Sequence, residues 1–211
     1  MTGRFITFEG IEGCGKSTQI GLLRAFLEAR GQRVVVTREP GGAPVPEAIR
    51  AILLDRAHAD MHPVAELLLY EAARAQLVHE VIRPALEAGA VVLCDRFADS
   101  TTAYQGAGRG LPRDALDSLH RLATQGVWPD LTFLLDLPAG AGLERARGRG
   151  EADRIEAESI AFHERVRQGF LGLAAGEPQR IKIIDAAQPV ETVAGAVCAG
   201  IAALFGYAAT G

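Results

Sequence analysis

The chain has 211 residues, with 22 Lys plus Arg against 26 Asp plus Glu and a formal net charge of −4. That balance gives a field that does not favour nucleic acid or an acidic membrane surface, and the length suits one α/β domain with a substantial core, with or without a small mobile insert. The three cysteines, Cys14, Cys94 and Cys198, are odd in number and widely spaced, which fits a reducing cytosol better than a disulfide framework.

The first β-type run covers residues 4–8, and no long apolar segment surrounds it, so no signal sequence is expected. It leads into Gly10-Ile11-Glu12-Gly13-Cys14-Gly15-Lys16-Ser17, which opens a helical pattern over 16–30 stopped by Gly31. Glycines, a Lys and a Ser at this spacing between strand and helix form a phosphate-binding loop in the context that the motif requires. The glycines let successive backbone N–H groups point at phosphate oxygens, and the helix adds the positive end of its dipole. Lys16 is expected to bridge the β- and γ-phosphates of a nucleoside triphosphate and Ser17 to hold Mg²⁺, with residues 10–18, Thr18 included, cradling ATP. A free nucleotide is therefore a better-matched partner than a polymer. Cys14 is expected to be exposed when no ligand is bound, whereas Cys94 and Cys198 lie in apolar runs and read as small core residues.

Further β-type runs at 33–37, 90–94, 131–135 and 180–184 alternate with helical patterns at 46–54, 63–88, 112–125, 140–147, 156–174 and 190–205. Near-continuous apolar strands between helices predict a three-layer α/β/α sandwich with a five-stranded parallel sheet and right-handed crossovers. Ligand belongs outside the carboxyl ends of such strands, where the phosphate loop, Thr37-Arg38-Glu39 and Asp95-Arg96 all fall. The apolar stretch near the carboxyl end is too short to span a membrane and reads as a core-packed helix. Within 63–88, Tyr70 and Arg74 stand one helical turn apart among core-spaced Leu67, Leu68, Leu77, Val78 and Val81.

Asp95 at a strand end supplies the carboxylate that phosphate-loop enzymes need near Mg²⁺ and its water shell. Arg38-Glu39-Pro40-Gly41-Gly42 joins a charge pair to a stiff Pro and two permissive glycines, as a loop pressed against a ligand requires. The stretch 145–154 shifts towards Arg and Gly and predicts a mobile surface connection whose closure brings an Arg to the transferring phosphoryl group. The five histidines, at 58, 62, 79, 120 and 163, show no metal-ligand spacing and read as surface or helix residues.

Phe8-Glu9-Gly10 through Ser17, then Arg38-Glu39-Pro40-Gly41-Gly42, then Asp95-Arg96-Phe97-Ala98-Asp99-Ser100 with Ala103-Tyr104-Gln105-Gly106, resemble the thymidylate kinases in order and spacing over nearly the whole chain. Arg145-Ala146-Arg147 and Asp153-Arg154-Ile155-Glu156 look like the lid of the bacterial form. The resemblance implies a phosphate-loop nucleoside monophosphate kinase fold, a single kinase domain over 1–211 with a lid at about 145–155, ATP-dependent phosphorylation of dTMP to dTDP with Mg²⁺, a homodimer and a cytoplasmic location. By the same resemblance Tyr70 stacks on thymine and Arg74 donates to a base carbonyl. Arg96, helped by Arg38, holds the dTMP phosphate, and Glu39 lies in the same loop. Tyr104 crowds the sugar 2′ position, Glu12 lies near the 3′-hydroxyl, Gln105 and Thr101 fall at base or sugar contacts, and Ser100 assists. Gly13-Cys14-Gly15 lacks the Arg that some members carry in the loop, which turns attention to Arg147 and Arg149 as the catalytic cations, ahead of Arg145 and Arg154. Thr101 stands where some members have Asn, and Glu12 is longer than the Asp found in others. Residues 185–188 are placed to meet adenine. Another nucleoside monophosphate kinase is the alternative; a GTPase switch is disfavoured because no Asn-Lys-x-Asp pattern is present.

Overall fold

A computed structural model describes residues 3–148 and 152–207. Its five strands, β1 (Arg4–Glu9), β2 (Val34–Arg38), β3 (Val91–Asp95), β4 (Leu131–Asp136) and β5 (Ile181–Asp185), form one all-parallel sheet in the order β2-β3-β1-β4-β5. The expected α/β sandwich is therefore observed. The order reverses at β1, so the crevice at its carboxyl end is the switch point where such sheets bind ligands. Parallel register puts Asp95 beside both Phe8 of β1 and Arg38 of β2, which lines up three chain segments along one edge.

Period-two alternation divides the strands between two cores. Ile6, Phe8, Leu93 and Phe133 face α1 (Lys16–Glu28) and α9 (Val190–Phe205), meeting Leu23, Leu27, Val197 and Ile201. Phe5, Val92 and Cys94 face the opposite layer, where Leu77, Val78 and Ile82 cover them. Between β2 and β3 run α2 (Pro44–Leu54), α3 (Pro63–Leu77), a π-helical turn (Val78–Ile82) and α4 (Arg83–Glu87). The helix expected over 63–88 is thus interrupted. Pro84 has no N–H and its ring would strike the carbonyl four residues back, and the widened turn, in which Arg83 N–H reaches Val78 O, relieves that conflict.

Two further differences concern the same layer, on the face of the sheet opposite α1 and α9. A short helix α5 (Ala98–Thr101) and a π-helical turn (Thr102–Gly108) follow β3, where no helix was expected. Their composition shows no apolar period, and packing forms them: Gly169 leaves room for Ala103 and Ala107, and Gly108 lies against Phe162 and Val166. The helix expected from residue 156 begins at Ile160, as α8 (Ile160–Gly176), because Asp153 Oδ1 accepts from Ile155 and Glu156 N–H and Ser159 caps the true start. Helices α6 (Arg113–Thr124) and α7 (Ala139–Arg147) lie within two residues of expectation.

Candidate active site

Glycines 10, 13 and 15 all have positive φ, so the phosphate loop adopts a backbone path that L side chains resist. Gly13 has a second reason to be glycine: a Cβ there would collide with the Gly142 carbonyl, because α7 is seated directly on the loop. Helix α1 begins at Lys16 with no side-chain cap, leaving its first N–H groups to the crevice. Lys16 Nζ donates to the Gly10 and Ile11 carbonyls at 3.1 and 3.0 Å. Cys14 corrects an expectation. It is buried, not exposed, because its side chain turns into the core with Phe8 and Ile20; Cys94 is buried as expected and Cys198 only half-buried.

One cavity at the carboxyl edge gathers Glu12, Gly13, Gly15, Lys16 and Ser17 from the loop, Arg38 and Glu39 after β2, Tyr70 and Arg74 on α3, and Asp95 and Arg96 after β3. Ser100, Thr101, Tyr104 and Gln105 complete that wall. The remaining loop residues, Gly10, Ile11 and Cys14, lie beneath it, and Thr18 faces outward on α1.

Arg96 is the centre of the polar wall. Its backbone takes φ 72°, a strained conformation for a non-glycine residue. Its N–H donates to Phe8 O, Nη1 to Gly10 O at 2.8 Å and Ser100 Oγ at 3.2 Å, and Nη2 to Glu12 Oε1 at 2.9 Å. The guanidinium also lies over the Tyr104 ring. Burial raises the Glu12 carboxyl, but Arg96 first, then His163, Lys16 and Tyr104, outweigh it and hold Glu12 far below the usual carboxylate range.

At the other end Arg74 is wholly buried. Its Nε donates to Glu39 Oε2 at 2.9 Å, Nη2 to Thr101 Oγ1 at 2.9 Å, and Nη1 to Glu71. Two carboxylates thus compete for one cation, and burial pushes Glu39 up to about 7 despite Arg74. Half-buried Tyr70 stands one turn before Arg74, so the two expected base contacts do face the same cavity.

A family model described as thymidylate kinase matches residues 8–197. The thymidylate kinase of Geobacter sulfurreducens is 58% identical over 201 residues, covering 92% of this chain and 94% of that protein. That of Deinococcus radiodurans is 52% identical over 199 residues, covering 94% and 96%. The crystal structure of thymidylate kinase from Ehrlichia chaffeensis superposes with a TM-score of 0.76 at 35% identity, covering 95% of this chain and 99% of that one. The chain belongs to the thymidylate kinase family. Thymidylate kinases are phosphotransferases that use ATP to convert dTMP to dTDP. Among the described residues no helix is long and apolar enough to cross a membrane.

In this thymidylate kinase the arginines expected on the lid separate into different groups. Arg145 and Arg147 lie on α7, not on a loop; Arg145 Nη1 donates to Ala186 O, and Arg147 is exposed outside the cavity. Arg149 lies outside the described residues. Arg154, expected on the mobile surface connection, is buried: Nε donates to Leu53 O at 2.7 Å and Nη1 lies 2.5 Å from Glu66 Oε2. Glu66 is the hub that the sequence reading missed. Fully buried, it accepts from Gln105 Nε2 at 2.8 Å and from Arg109 Nε and Nη2 at 3.1 Å, besides pairing with Arg154. His120 and His163 are helical as expected but buried, facing Glu71 Oε1 at 3.0 Å and Glu12 Oε2 at 3.3 Å.

Glu9, beneath the loop, receives Phe97 N–H at 2.7 Å and lies 2.5 Å from Ser100 Oγ. Burial, then the Asp99 charge, push its carboxyl from 4.5 up to about 8. The folded state therefore binds a proton that the unfolded chain releases above 4.5. This contribution is complete at low pH and is lost as pH rises through about 8. Thermal melts of Glu9→Gln, neutral and nearly isosteric, are expected to fall less steeply than wild type across that window. Parallel Tm profiles would contradict the assignment.

Proposed function

We propose that this thymidylate kinase binds dTMP and ATP head to head in the single cavity described above and transfers the γ-phosphoryl group in line to the dTMP phosphate. One observation carries the reading: the phosphate loop, Asp95-Arg96 and the Tyr70–Arg74 pair line one space. Tyr70 stacks on the base, Arg74 and Thr101 meet its edge, and Gln105 adds a base or sugar contact. Tyr104 closes on the sugar 2′ position and Glu12 on the 3′ side. Arg96, with Arg38 and Ser100, fixes the acceptor phosphate, and Glu39 orients Arg74. Lys16 and the N–H groups of residues 10–18 hold the ATP phosphates. The acceptor is already anionic near neutral pH, so positioning and charge neutralisation supply the catalysis without a general base.

Ser17 and Asp95 suit Mg²⁺. Asp95 Oδ1 is a buried oxygen without a hydrogen-bond partner, and both residues line the cavity. Ser17 and Asp95 would hold the ion, whose charge would help neutralise the phosphates. Asp95→Asn is expected to shift the Mg²⁺ midpoint of ADP release upward by about tenfold, the loss of roughly one charge-assisted contact. An unchanged Mg²⁺ titration rejects the assignment.

Residues 1–211 act as one kinase domain, with a lid at about 145–155 that brings Arg147 and Arg149 to the transferring group. The enzyme is cytoplasmic and a homodimer. Supporting the dimer, Val45 and Ile52 on α2, Val64 and Leu68 on α3 and Leu122 on α6 are large apolar side chains left exposed on neighbouring helices. Light scattering is expected to give twice the 22.4 kDa chain mass, and Leu122→Glu is expected to return it to the monomer value. A wild-type monomer removes the proposal.

A further inference from the structure

His163 lies on α8 in the same stripe as Val166 and Phe170, yet it is ionisable and wholly buried. Phe162 meets its ring edge-on, with centroids 5.4 Å apart. A buried imidazole without a polar partner is costly, and the acidic oxygen that Nδ1 faces is Glu12 Oε2, 3.3 Å away.

The two Glu12 oxygens have different surroundings. Oε1 accepts from Tyr104 OH at 2.7 Å and Arg96 Nη2 at 2.9 Å, which accounts for both its lone pairs. Oε2 is buried and has no aligned hydrogen bond among the described residues, and neither has either ring nitrogen of His163, so the two unpartnered groups face each other at 3.3 Å. Helix α8 also supports the Tyr104 ring, through Phe162 and Phe170 at centroid distances of 6.2 and 6.1 Å. Tyr104 is therefore fixed at its ring by α8 and at its hydroxyl by Glu12, and His163 faces Glu12 from behind.

We propose that His163 is a positioning residue for sugar selectivity: it anchors Glu12 Oε2, so that Glu12 Oε1 holds the Tyr104 hydroxyl rigidly against the sugar 2′ position. This rests on the reading of Tyr104 as the group that excludes a 2′-hydroxyl. His163 touches no substrate itself. Without its Nδ1–H the buried Oε2 loses its facing donor, the carboxylate reorients, and the Tyr104 ring gains freedom to yield to a ribose.

The test is the ratio of kcat/KM for dTMP to that for the ribose analogue, 5-methyluridine 5′-monophosphate. A ratio is unaffected by the fraction of enzyme that folds. His163→Leu is expected to lower it about tenfold, equivalent to about 1.4 kcal/mol, whereas His163→Asn, whose amide nitrogen can stand in for Nδ1, is expected to stay within about threefold of wild type. Tyr104→Ala provides the separate control and is expected to lose discrimination at least as strongly. Loss in Tyr104→Ala with an unchanged ratio in His163→Leu overturns the positioning role alone. Equal losses in His163→Leu and His163→Asn also overturn it, since the donor would then be irrelevant. An unchanged ratio in Tyr104→Ala overturns the sugar-filter reading, and the proposal with it.

Discussion

Arg96→Ala is expected to lower kcat/KM for dTMP by roughly 10²- to 10³-fold, the range for removing one preorganised electrostatic contact, while the protein remains folded. The side chain ties together the loop carbonyl of Gly10 beneath the cavity and the carboxylate of Glu12 and hydroxyl of Ser100 on its wall. Its positive φ is a strain that the surrounding contacts maintain, and alanine is no worse suited to that backbone than arginine. The loss should therefore appear in turnover and dTMP binding more than in stability. Arg96→Lys keeps the charge but not the planar fork that serves Gly10 and Glu12 together, so it is expected to recover only part of the activity. Steady-state rates against dTMP check this, and an Arg96→Ala enzyme with wild-type turnover would remove Arg96 from the phosphate site.

Glu66→Leu is expected to destabilise the fold by about 3–5 kcal/mol, the effect of breaking a buried charge pair by deleting one partner. Arg154 is buried and has no other carboxylate partner among those described, whereas Arg109 retains Glu158 at 2.5 Å. The consequence extends to the site, because Gln105 is held by Glu66 and Arg154 ties its own chain segment to the end of α2 through Leu53 and Leu54. Urea unfolding monitored by circular dichroism should show a much lower midpoint at unchanged slope. A shift worth under about 1 kcal/mol would mean that the arginines find water or other partners.

The phosphate loop and strand-end residues were legible in sequence because their chemistry is contiguous. Gly13 and Lys16 carry their geometry with them, since one needs positive φ and the other opens a helix. Glu66 and His163 were not, because each acts through residues distant in the chain. Each still left a signal. Glu66 precedes Tyr70 by one turn on the same helix, and His163 shares the stripe of Val166 and Phe170, so each is an ionisable group at core spacing. Helix α5 and the following π-helical turn had no such signature, as close packing against Gly169 imposes them. Arg154 was misplaced for a related reason: a run of Arg and Gly resembles a solvated loop, while burial of its guanidinium depends on a carboxylate 88 positions earlier.

The proposed function requires that this cavity accept dTMP as phosphoryl acceptor from ATP. Its most direct test is coupled ADP release with ATP and Mg²⁺ against dTMP, dUMP, 5-methyluridine monophosphate, CMP, AMP and GMP. Rapid turnover confined largely to dTMP is the predicted result. A preference for another monophosphate would contradict the base-pocket roles of Tyr70 and Arg74, and ADP release independent of every acceptor would contradict the kinase reading itself.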